Sequence, residues 1–209
     1  MPLYKTLHPE PGTIIKLWKI EESYNELIKP LDLKDESAKR VEGMKSEIHR
    51  QGFLSIRHLL RLVGYTDQDL YYDEFGKPHL TDGKFISISH SYQYTGIIIS
   101  DQPVGIDIEM KREKIRRIAS KFIDYEKHYL DAEEDRYVDR LTTIWCIKES
   151  LYKLFAQPGL SFKTHTLVIP FELADGTTRS WIDYSGRKIP FDARFFDIDG
   201  FKCAFVTSS

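Results

Sequence analysis

The sequence predicts an α+β fold in which helices and antiparallel strands occur in two successive halves. Three short strand-like runs, at Phe85–His90, Thr95–Ser100 and Val104–Glu109, are separated by polar or glycine- and proline-containing joints. Helical spacing of apolar residues dominates about residues 46–63 and 137–156, and strand-like segments broken by glycine turns follow the second of these. The helix-and-strand pattern therefore occurs twice along the chain.

The first half opens with an alternating apolar and polar run at Thr13–Ile20, which predicts a strand. Charged, helix-favouring sequence follows at about residues 23–40. Between residues 46 and 63 the apolar side chains recur at three- and four-residue steps, which predicts an amphipathic helix that ends near Gly64. The segment EFGKPHL, at residues 74–80, contains the glycine and proline of a turn.

The second half is predicted to begin with helices and to end with a sheet. Three helical segments are expected, at Lys114–Phe122, Tyr125–Asp131 and about Tyr137–Ala156. Four strands are expected between the DGT, SG and DIDG turns, at Thr166–Phe171, Thr178–Tyr184, Lys188–Phe196 and Phe201–Thr207. A boundary near Asp101–Pro103 gives predicted domains of residues 1–102 and 103–209.

Composition and charge narrow the function classes. The 209 residues are 41% hydrophobic and 30% charged, as in ordinary globular proteins, and the formal net charge of −2 provides no basic field for nucleic acid or an anionic membrane. The sequence has no apolar run of membrane-spanning length, and its first residues lack a signal-peptide core. Cys146 and Cys203 are too few for a disulfide scaffold or a four-cysteine zinc site. We therefore expect a reducing, cytoplasmic setting.

The run VGIDIE, at residues 104–109, carries two carboxylates with strand spacing. Alternate side chains of a strand share a face, so Asp107 and Glu109 point one way and Ile106 and Ile108 the other. Two such carboxylates repel each other unless a cation lies between them, and hard oxygen ligands suit Mg²⁺. The alternative is an exposed strand face with both carboxylates in solvent.

The run WCIKESLYKL, at residues 145–154, places chemistry on a predicted helix. Trp145, Glu149 and Lys153 are spaced i, i+4 and i+8 and therefore lie along one side. Glu149 could supply a third metal carboxylate, and Lys153 a cation for a phosphate oxygen. The alternative is a surface ion pair between Glu149 and Lys153.

Two further segments carry candidate ligand groups. In ISISHS, at residues 86–91, the serines share one strand face, and His90 shares the other with two isoleucines. A histidine in that position is either a satisfied core residue or, at a strand end, a donor to phosphate. The turn Gly76-Lys77-Pro78 offers a cation, although alone it indicates little.

Taken in order, FGKPHL, ISISHS, VGIDIE and WCIKESLYKL resemble the 4′-phosphopantetheinyl transferase superfamily. The family signature is (V/I)-G-(V/I)-D followed about 35–45 residues later by (F/W)-x-x-K-E-(A/S)-x-x-K, and here Asp107 and Lys148 are 41 positions apart. Chain length and the G-K-P and S-H-S elements are similar to the larger, surfactin-synthetase-activating (Sfp-like) branch. That resemblance implies two pseudo-twofold-related α+β halves acting as a monomer.

The resemblance also implies roles for particular residues. Asp107, Glu109 and Glu149 match the magnesium carboxylates, and Glu149 and Lys153 the catalytic pair, with Lys153 on phosphate. The residues implied in contact with coenzyme A are Lys39, Arg40, Arg50, Lys77, Pro78, Ser89, His90 and Lys153. The match of the N-terminal cations to the 3′-phosphate site is loose, and Lys34 or Lys45 could substitute for them.

The implied reaction is attack by a serine of an apo acyl or peptidyl carrier protein on the β-phosphate of coenzyme A, releasing 3′,5′-adenosine bisphosphate. Glu149, directly or through a metal-bound water, is the candidate base. Fatty-acid, polyketide and nonribosomal peptide carriers all present a suitable serine, so the acceptor stays open, as does tolerance of acyl-coenzyme A. The implied partners include no nucleic acid and no membrane.

Two other classes of function compete with this interpretation. A magnesium-dependent phosphodiesterase or nuclease would also use D-x-E with a further Glu and Lys, but it leaves the S-H-S and G-K-P elements unexplained and lacks a basic excess. A non-catalytic module that binds coenzyme A or a carrier protein would not need the intact set of acids. Both alternatives predict no transfer of phosphopantetheine.

Overall fold

The computed structural model describes residues 3–208, and the chain divides after Asp101 into two compact units. Each unit combines helices with antiparallel strands, which confirms the α+β class. Within residues 3–208, no helix has both the length and the apolar character needed to cross a membrane.

The first unit is built on a four-stranded antiparallel sheet. Its strands, in their order across the sheet, are β1 (Leu3–Leu7), β2 (Ile14–Lys19), β6 (Tyr94–Ser100) and β5 (Phe85–Ser91). A separate two-stranded ribbon joins β3 (Leu70–Tyr72) to β4 (Pro78–Leu80). The sequence interpretation missed β1 and β3, and it assigned the three residues of β4 to a turn.

Three helices accompany this sheet: α1 (Tyr24–Ile28), α2 (Asp35–Gly43) and α3 (Glu47–Arg61). The helix-favouring sequence at about residues 23–40 contains two helices, α1 and the first part of α2, because Pro30 between them lacks an N–H and cannot continue a helix. Ser23 starts α1 with a capping box to Glu26.

Helix α3 buries most of the apolar face that its spacing predicted, since Phe53, Ile56, Leu59 and Leu60 are buried, whereas Ile48 is exposed. This face forms one core with residues of β2, β5 and β6. Helix α3 and the strand β5 are therefore packed elements that carry Arg50, Ser89 and His90 of the candidate ligand residues.

The second unit contains a five-stranded antiparallel sheet. Its strands, in their order across the sheet, are β7 (Val104–Met110), β11 (Phe201–Ser208), β10 (Arg187–Ile198), β9 (Thr177–Tyr184) and β8 (Thr166–Val168). The predicted strands of this half are all present, and only β8 is clearly shorter than expected.

Helix α5 (Tyr137–Phe155) packs on this sheet and shares one hydrophobic core with it. The preceding helical predictions were too long, since only α4 (Ile115–Ile118) is α-helical, and the rest consists of 3-10 turns at Ala119–Lys121 and Tyr125–His128. Basic residues occupy much of residues 111–121, and like charges at helical spacing disfavour a longer helix.

Candidate active site

The strand β7 and the helix α5 are in direct backbone contact at Gly105. A Cβ atom at this position would collide with the carbonyl oxygen of Ser150, so only glycine allows the helix to lie this close to the strand. Residues two and four positions further along β7, Asp107 and Glu109, share the face that α5 covers. The sequence G-x-D-x-E therefore positions two carboxylates against the helix.

Asp107 is 5% exposed, so the alternative of a solvated strand face is wrong for this residue. Its Oδ1 atom accepts a hydrogen bond from the Lys153 ammonium at 2.7 Å, and the same ammonium donates to the Ile106 carbonyl at 3.0 Å. Lys153 is therefore tied to β7, and its ion-pair partner is the buried Asp107.

Helix α5 is buried on nearly every side along its central turns. Trp145, Glu149 and Lys153 are half-buried, whereas Cys146, Ile147 and Lys148 between them are buried. The i, i+4, i+8 line predicted from the sequence is thus the side of α5 on which its functional groups reach the surface.

Glu109 is held by a side chain of α5. The Trp145 indole Nε1 donates to Glu109 Oε1 at 3.1 Å. Burial and then the Asp107 charge raise the pKa of Glu109, while the bond from Trp145 and the Lys153 charge oppose that shift. The indole therefore favours the ionised carboxylate and fixes its orientation.

Glu149 has a more strongly raised pKa than Glu109. Burial and then the Asp107 charge raise its pKa to about 7, with a further contribution from Glu109 and an opposing one from Lys153. A carboxyl group with a pKa near neutrality can exchange a proton at physiological pH, as general bases do.

The chemistry of Asp107, Glu109 and Glu149 fits a magnesium ion, since carboxylates are hard oxygen donors. Burial, and then the charges of Asp107 and Glu109, raise the pKa of Glu149, and a cation would offset that effect. No group of three or more His, Cys, Asp or Glu side chains within residues 3–208 is gathered closely enough to hold a metal ion alone. Lys153 and Trp145 each engage one carboxylate oxygen here. Mg²⁺ does not need a complete set of protein ligands, because it usually keeps waters and substrate phosphates in its coordination shell.

In the first unit, His90 is exposed at the end of β5, so the alternative of a core histidine is wrong. Its ring lies over α3 at Gly52, where a Cβ would approach His90 Cδ2 to 3.1 Å, and it meets the His49 ring edge-on at 5.6 Å. Ser89, in contrast, is buried. The imidazole is thus placed on the surface and the serine hydroxyl is not.

The cations expected near a 3′-phosphate have different surroundings. Lys39 and Arg40 are exposed on α2, and the Arg40 guanidinium lies over the Tyr72 ring at 5.2 Å. Arg50 is partly engaged, because its Nε and Nη2 donate to backbone carbonyls in and after α2. Of the two substitutes, Lys34 donates to a carbonyl at 2.6 Å and Lys45 is exposed.

Lys77 and Pro78 lie where the turn enters β4. Asp73 organises this turn by accepting bonds from the backbone N–H groups of Phe75 and Lys77. Burial lowers the pKa of Lys77, and the Asp73 charge opposes the shift. Pro78 pairs with Tyr72 across the ribbon, so the G-K-P turn lies beside the ring under Arg40.

Sequence reasoning missed the roles of three residues in the second unit. It gave Trp145 no function, yet this indole orients Glu109. It also assigned nothing to Lys148 or Glu126, which form a fully buried ion pair. The spacing of Trp145 from Glu149 already placed it on the functional side of α5, whereas no local pattern connects Lys148 with Glu126.

The close contact at Gly105 gives a testable prediction. Gly105→Ala forces α5 away from β7 and should lower the unfolding free energy by about 1–3 kcal/mol or more, since overpacking in a closed contact is costly. Gly43→Ala, at a position with open space around the added methyl, is the matched control and should melt like the parent. Equal melting temperatures for the two variants would contradict the contact.

Comparisons with known proteins agree with these motifs. Residues 103–206 match the model of the 4′-phosphopantetheinyl transferase superfamily. The chain is 28% identical over 162 residues to the 4′-phosphopantetheinyl transferase gsp of Aneurinibacillus migulanus. The matched segment covers 73% of this chain and 65% of that protein.

Two further relatives are shorter matches. Enterobactin synthase component D of Salmonella typhi is 35% identical over 121 residues, 56% of this chain and 51% of that protein. The 4′-phosphopantetheinyl transferase Sfp of Bacillus subtilis (strain 168) is 32% identical over 84 residues, 38% of each chain. The matches thus span less than two thirds of the length of each relative.

Proposed function

Because the chain belongs to the 4′-phosphopantetheinyl transferase superfamily, we propose that it transfers the 4′-phosphopantetheine group of coenzyme A to a serine of an apo carrier protein. The second product is 3′,5′-adenosine bisphosphate. The observation that carries this proposal is the set of Asp107, Glu109, Glu149 and Lys153 on the contacting faces of β7 and α5. These residues supply the anionic, cationic and basic groups that phosphoryl transfer requires.

Lys153 is proposed to stabilise negative charge on the transferred phosphoryl group. Its side chain is 27% exposed and its ammonium is held by Asp107 and the Ile106 carbonyl, so little reorganisation is needed when charge develops nearby. Asp107 and Glu109 keep the site anionic enough to attract a divalent cation.

Glu149 is proposed to accept the proton of the attacking serine. A carboxylate with an ordinary pKa is a weak base near neutral pH, and in the metal-free site burial and the Asp107 charge raise the pKa of Glu149 to about 7. The proton then resides on a half-buried carboxyl group whose neutral form is favoured by burial and by the Asp107 charge.

Asp107, Glu109 and Glu149 are the residues proposed to hold Mg²⁺. When bound, the ion supplies charge neutralisation on the phosphate oxygens. Transfer should therefore cease in EDTA and return with Mg²⁺ or Mn²⁺, because both ions prefer oxygen ligands. Full transfer by protein extensively dialysed against EDTA would contradict the metal assignment.

A division of labour between residues 1–102 and 103–209 is part of the proposal. Residues of the first half, namely Lys39, Arg40, Arg50, Lys77, Pro78, Ser89 and His90, are proposed to contact the nucleotide end of coenzyme A. The exposure of Arg40 and His90 supports this role. Ser89 is buried, so this residue is proposed to act on coenzyme A only through neighbouring groups.

Recognition of the 3′-phosphate can be measured directly. Coenzyme A should bind several-fold more tightly than dephospho-coenzyme A, and high salt should reduce the difference because exposed charges are screened. Arg40→Gln should reduce the preference, and Lys29→Gln, at another exposed cation of the first unit, should not. Equal calorimetric affinities of the parent for the two ligands would remove the assignment.

The protein is further proposed to act as a monomer in a reducing, cytoplasmic setting, on acyl or peptidyl carrier proteins. Cys146 and Cys203 are both buried. Similarity to gsp and Sfp supports the larger branch of the superfamily.

The decisive experiment is mass spectrometry of a panel of apo carrier proteins incubated with the protein, coenzyme A and Mg²⁺. The expected result is a gain of one phosphopantetheine on at least one carrier. Addition to none of a broad panel by folded protein would contradict the proposal, and cleavage of plasmid DNA in the same buffer would favour the phosphodiesterase alternative.

A further inference from the structure

A buried ion pair lies beneath the functional side of α5. Lys148 and Glu126 are both 0% exposed, and their Nζ and Oε1 atoms are 2.8 Å apart. The same ammonium donates to the carbonyls of Phe122, Phe162 and Thr166 at 2.7, 2.9 and 2.9 Å. One side chain of α5 therefore binds the backbone of two separate segments, at Phe122 and at Phe162 and Thr166.

Glu126 is equally well satisfied. Its Oε1 accepts the backbone N–H of Val168 at 2.9 Å, and its Oε2 accepts that of Asp124 at 3.2 Å. Burial lowers the pKa of Lys148, and the Glu126 charge opposes the shift. A buried pair of this kind adds little stability compared with an apolar replacement, so its retention calls for another explanation.

The two phenylalanines that Lys148 holds by their carbonyls also contact Trp145 through their rings. The Phe122 ring meets the indole edge-on with centroids 5.0 Å apart, and the Phe162 ring meets it at 5.5 Å with a 56° tilt. Trp145 is one turn before Lys148 along α5, and its Nε1 donates to Glu109. A continuous series of contacts thus runs from the ion pair to a carboxylate of the site.

We propose that Lys148 and Glu126 are positioning residues, which set the place of the Trp145 indole through Phe122 and Phe162 and thereby orient the Glu109 carboxylate. The inference rests on the proposed function for its consequence, since Glu109 matters as a metal and phosphate-site residue only in a transferase. The other part, that the fully buried pair sets the hydrogen bond from the Trp145 indole to Glu109, is inferred from the contacts and does not depend on the proposed function.

The test is the nuclear magnetic resonance signal of the Trp145 indole N–H in ¹⁵N-labelled protein. The chain has three tryptophans, and Trp145→Phe assigns the signal by its loss. In the double variant Lys148→Met/Glu126→Gln, which leaves no unpaired buried charge, the Trp145 proton should move upfield as its bond to Glu109 weakens. Trp18, whose Nε1 donates to Glu22 in the other unit, is the internal reference and should not move.

An unshifted Trp145 signal in the folded double variant overturns the proposal. If that variant fails to give a dispersed spectrum, Phe162→Leu takes its place, because it removes one ring from the indole and keeps the backbone carbonyl that Lys148 binds. The Trp145 signal should again move upfield, and an unchanged signal in this variant overturns the proposal as well.

The Mg²⁺ concentration for half-maximal transfer links the indole to function. Trp145→Phe and Lys148→Met/Glu126→Gln should each raise it by about 10-fold or more, as is typical when groups that orient metal ligands are lost. In the variant that combines all three substitutions, the increase in this Mg²⁺ concentration should be far smaller than the product of the two separate increases if both act through Glu109. A purely stabilising ion pair would instead give independent increases that multiply. A parent protein that transfers nothing would refute the function, and the indole signal would still decide the inference.

Discussion

Glu149→Gln is expected to lower carrier modification by orders of magnitude and to raise the melting temperature of the metal-free protein above neutral pH. The first effect follows from removing both the proposed base and a metal ligand. The second follows from the pKa of Glu149, which burial and the Asp107 charge raise from 4.5 to about 7. Opposite signs for activity and stability are a signature of a residue kept for chemistry.

The sign of the stability effect can be worked out from linkage. A carboxyl group with a raised pKa in the folded state favours folding while it is protonated. That contribution is fully present below pH 4.5 and is lost as the pH rises through about 7. The shift corresponds to a cost on the order of 3 kcal/mol for the ionised group in the absence of a cation. Glutamine avoids this cost because it does not ionise.

The measurement is a pair of thermal melts in EDTA, at pH 5 and pH 8, on the parent and on Glu149→Gln. The two proteins should melt alike at pH 5, and the variant should melt several degrees higher at pH 8. Glu133→Gln, at an exposed glutamate of the same unit, should follow the parent at both pH values and retain transfer. Normal turnover by Glu149→Gln would remove this residue from the mechanism.

Much of the fold could be predicted because its elements have strong local periodicity. The run in β7 and the helical spacing in α3 and α5 were placed to within a few residues. The errors occurred where a short segment depends on a distant partner. The ribbon strand Pro78–Leu80 exists only because it pairs with Leu70–Tyr72, and no pattern within three residues can indicate that pairing.

The same distinction applies to the candidate site. The shared side of Trp145, Glu149 and Lys153 follows from helical spacing alone and agrees with their common exposure. The partner of Lys153 could not be predicted in this way, because the i+4 rule points to Glu149 while the folded chain brings Asp107 within 2.7 Å. Contacts across the strand and helix depend on packing at Gly105, which only the tertiary structure reveals.

Because Lys153 is paired with Asp107, its replacement should affect stability as well as activity. Paired with Glu149 at the surface, the lysine would stabilise the protein by a few tenths of a kcal/mol, and its loss would leave melting nearly normal. Its actual partner, Asp107, is 5% exposed and would be left as a buried charge without that cation. Lys153→Met should therefore lower the melting temperature as well as the rate.

Stability and catalysis are separable by a second substitution. In Asp107→Asn/Lys153→Met the buried charge is gone, so the melting temperature should recover toward that of the parent, while transfer should stay low. For Lys153→Met alone, kcat/KM should fall by about 10²–10³, the usual loss for a preorganised group that stabilises transition-state charge.

Lys153→Arg should have a kcat/KM between those of Lys153→Met and the parent. The planar guanidinium cannot reproduce the bonds of the ammonium to both Asp107 and the Ile106 carbonyl. Melts and carrier-modification assays on the same preparations of all three variants provide the comparison. If Lys153→Met melts several degrees below the parent yet turns over within about threefold of it, the lysine only neutralises Asp107. The phosphate contact would then have to be assigned to another cation.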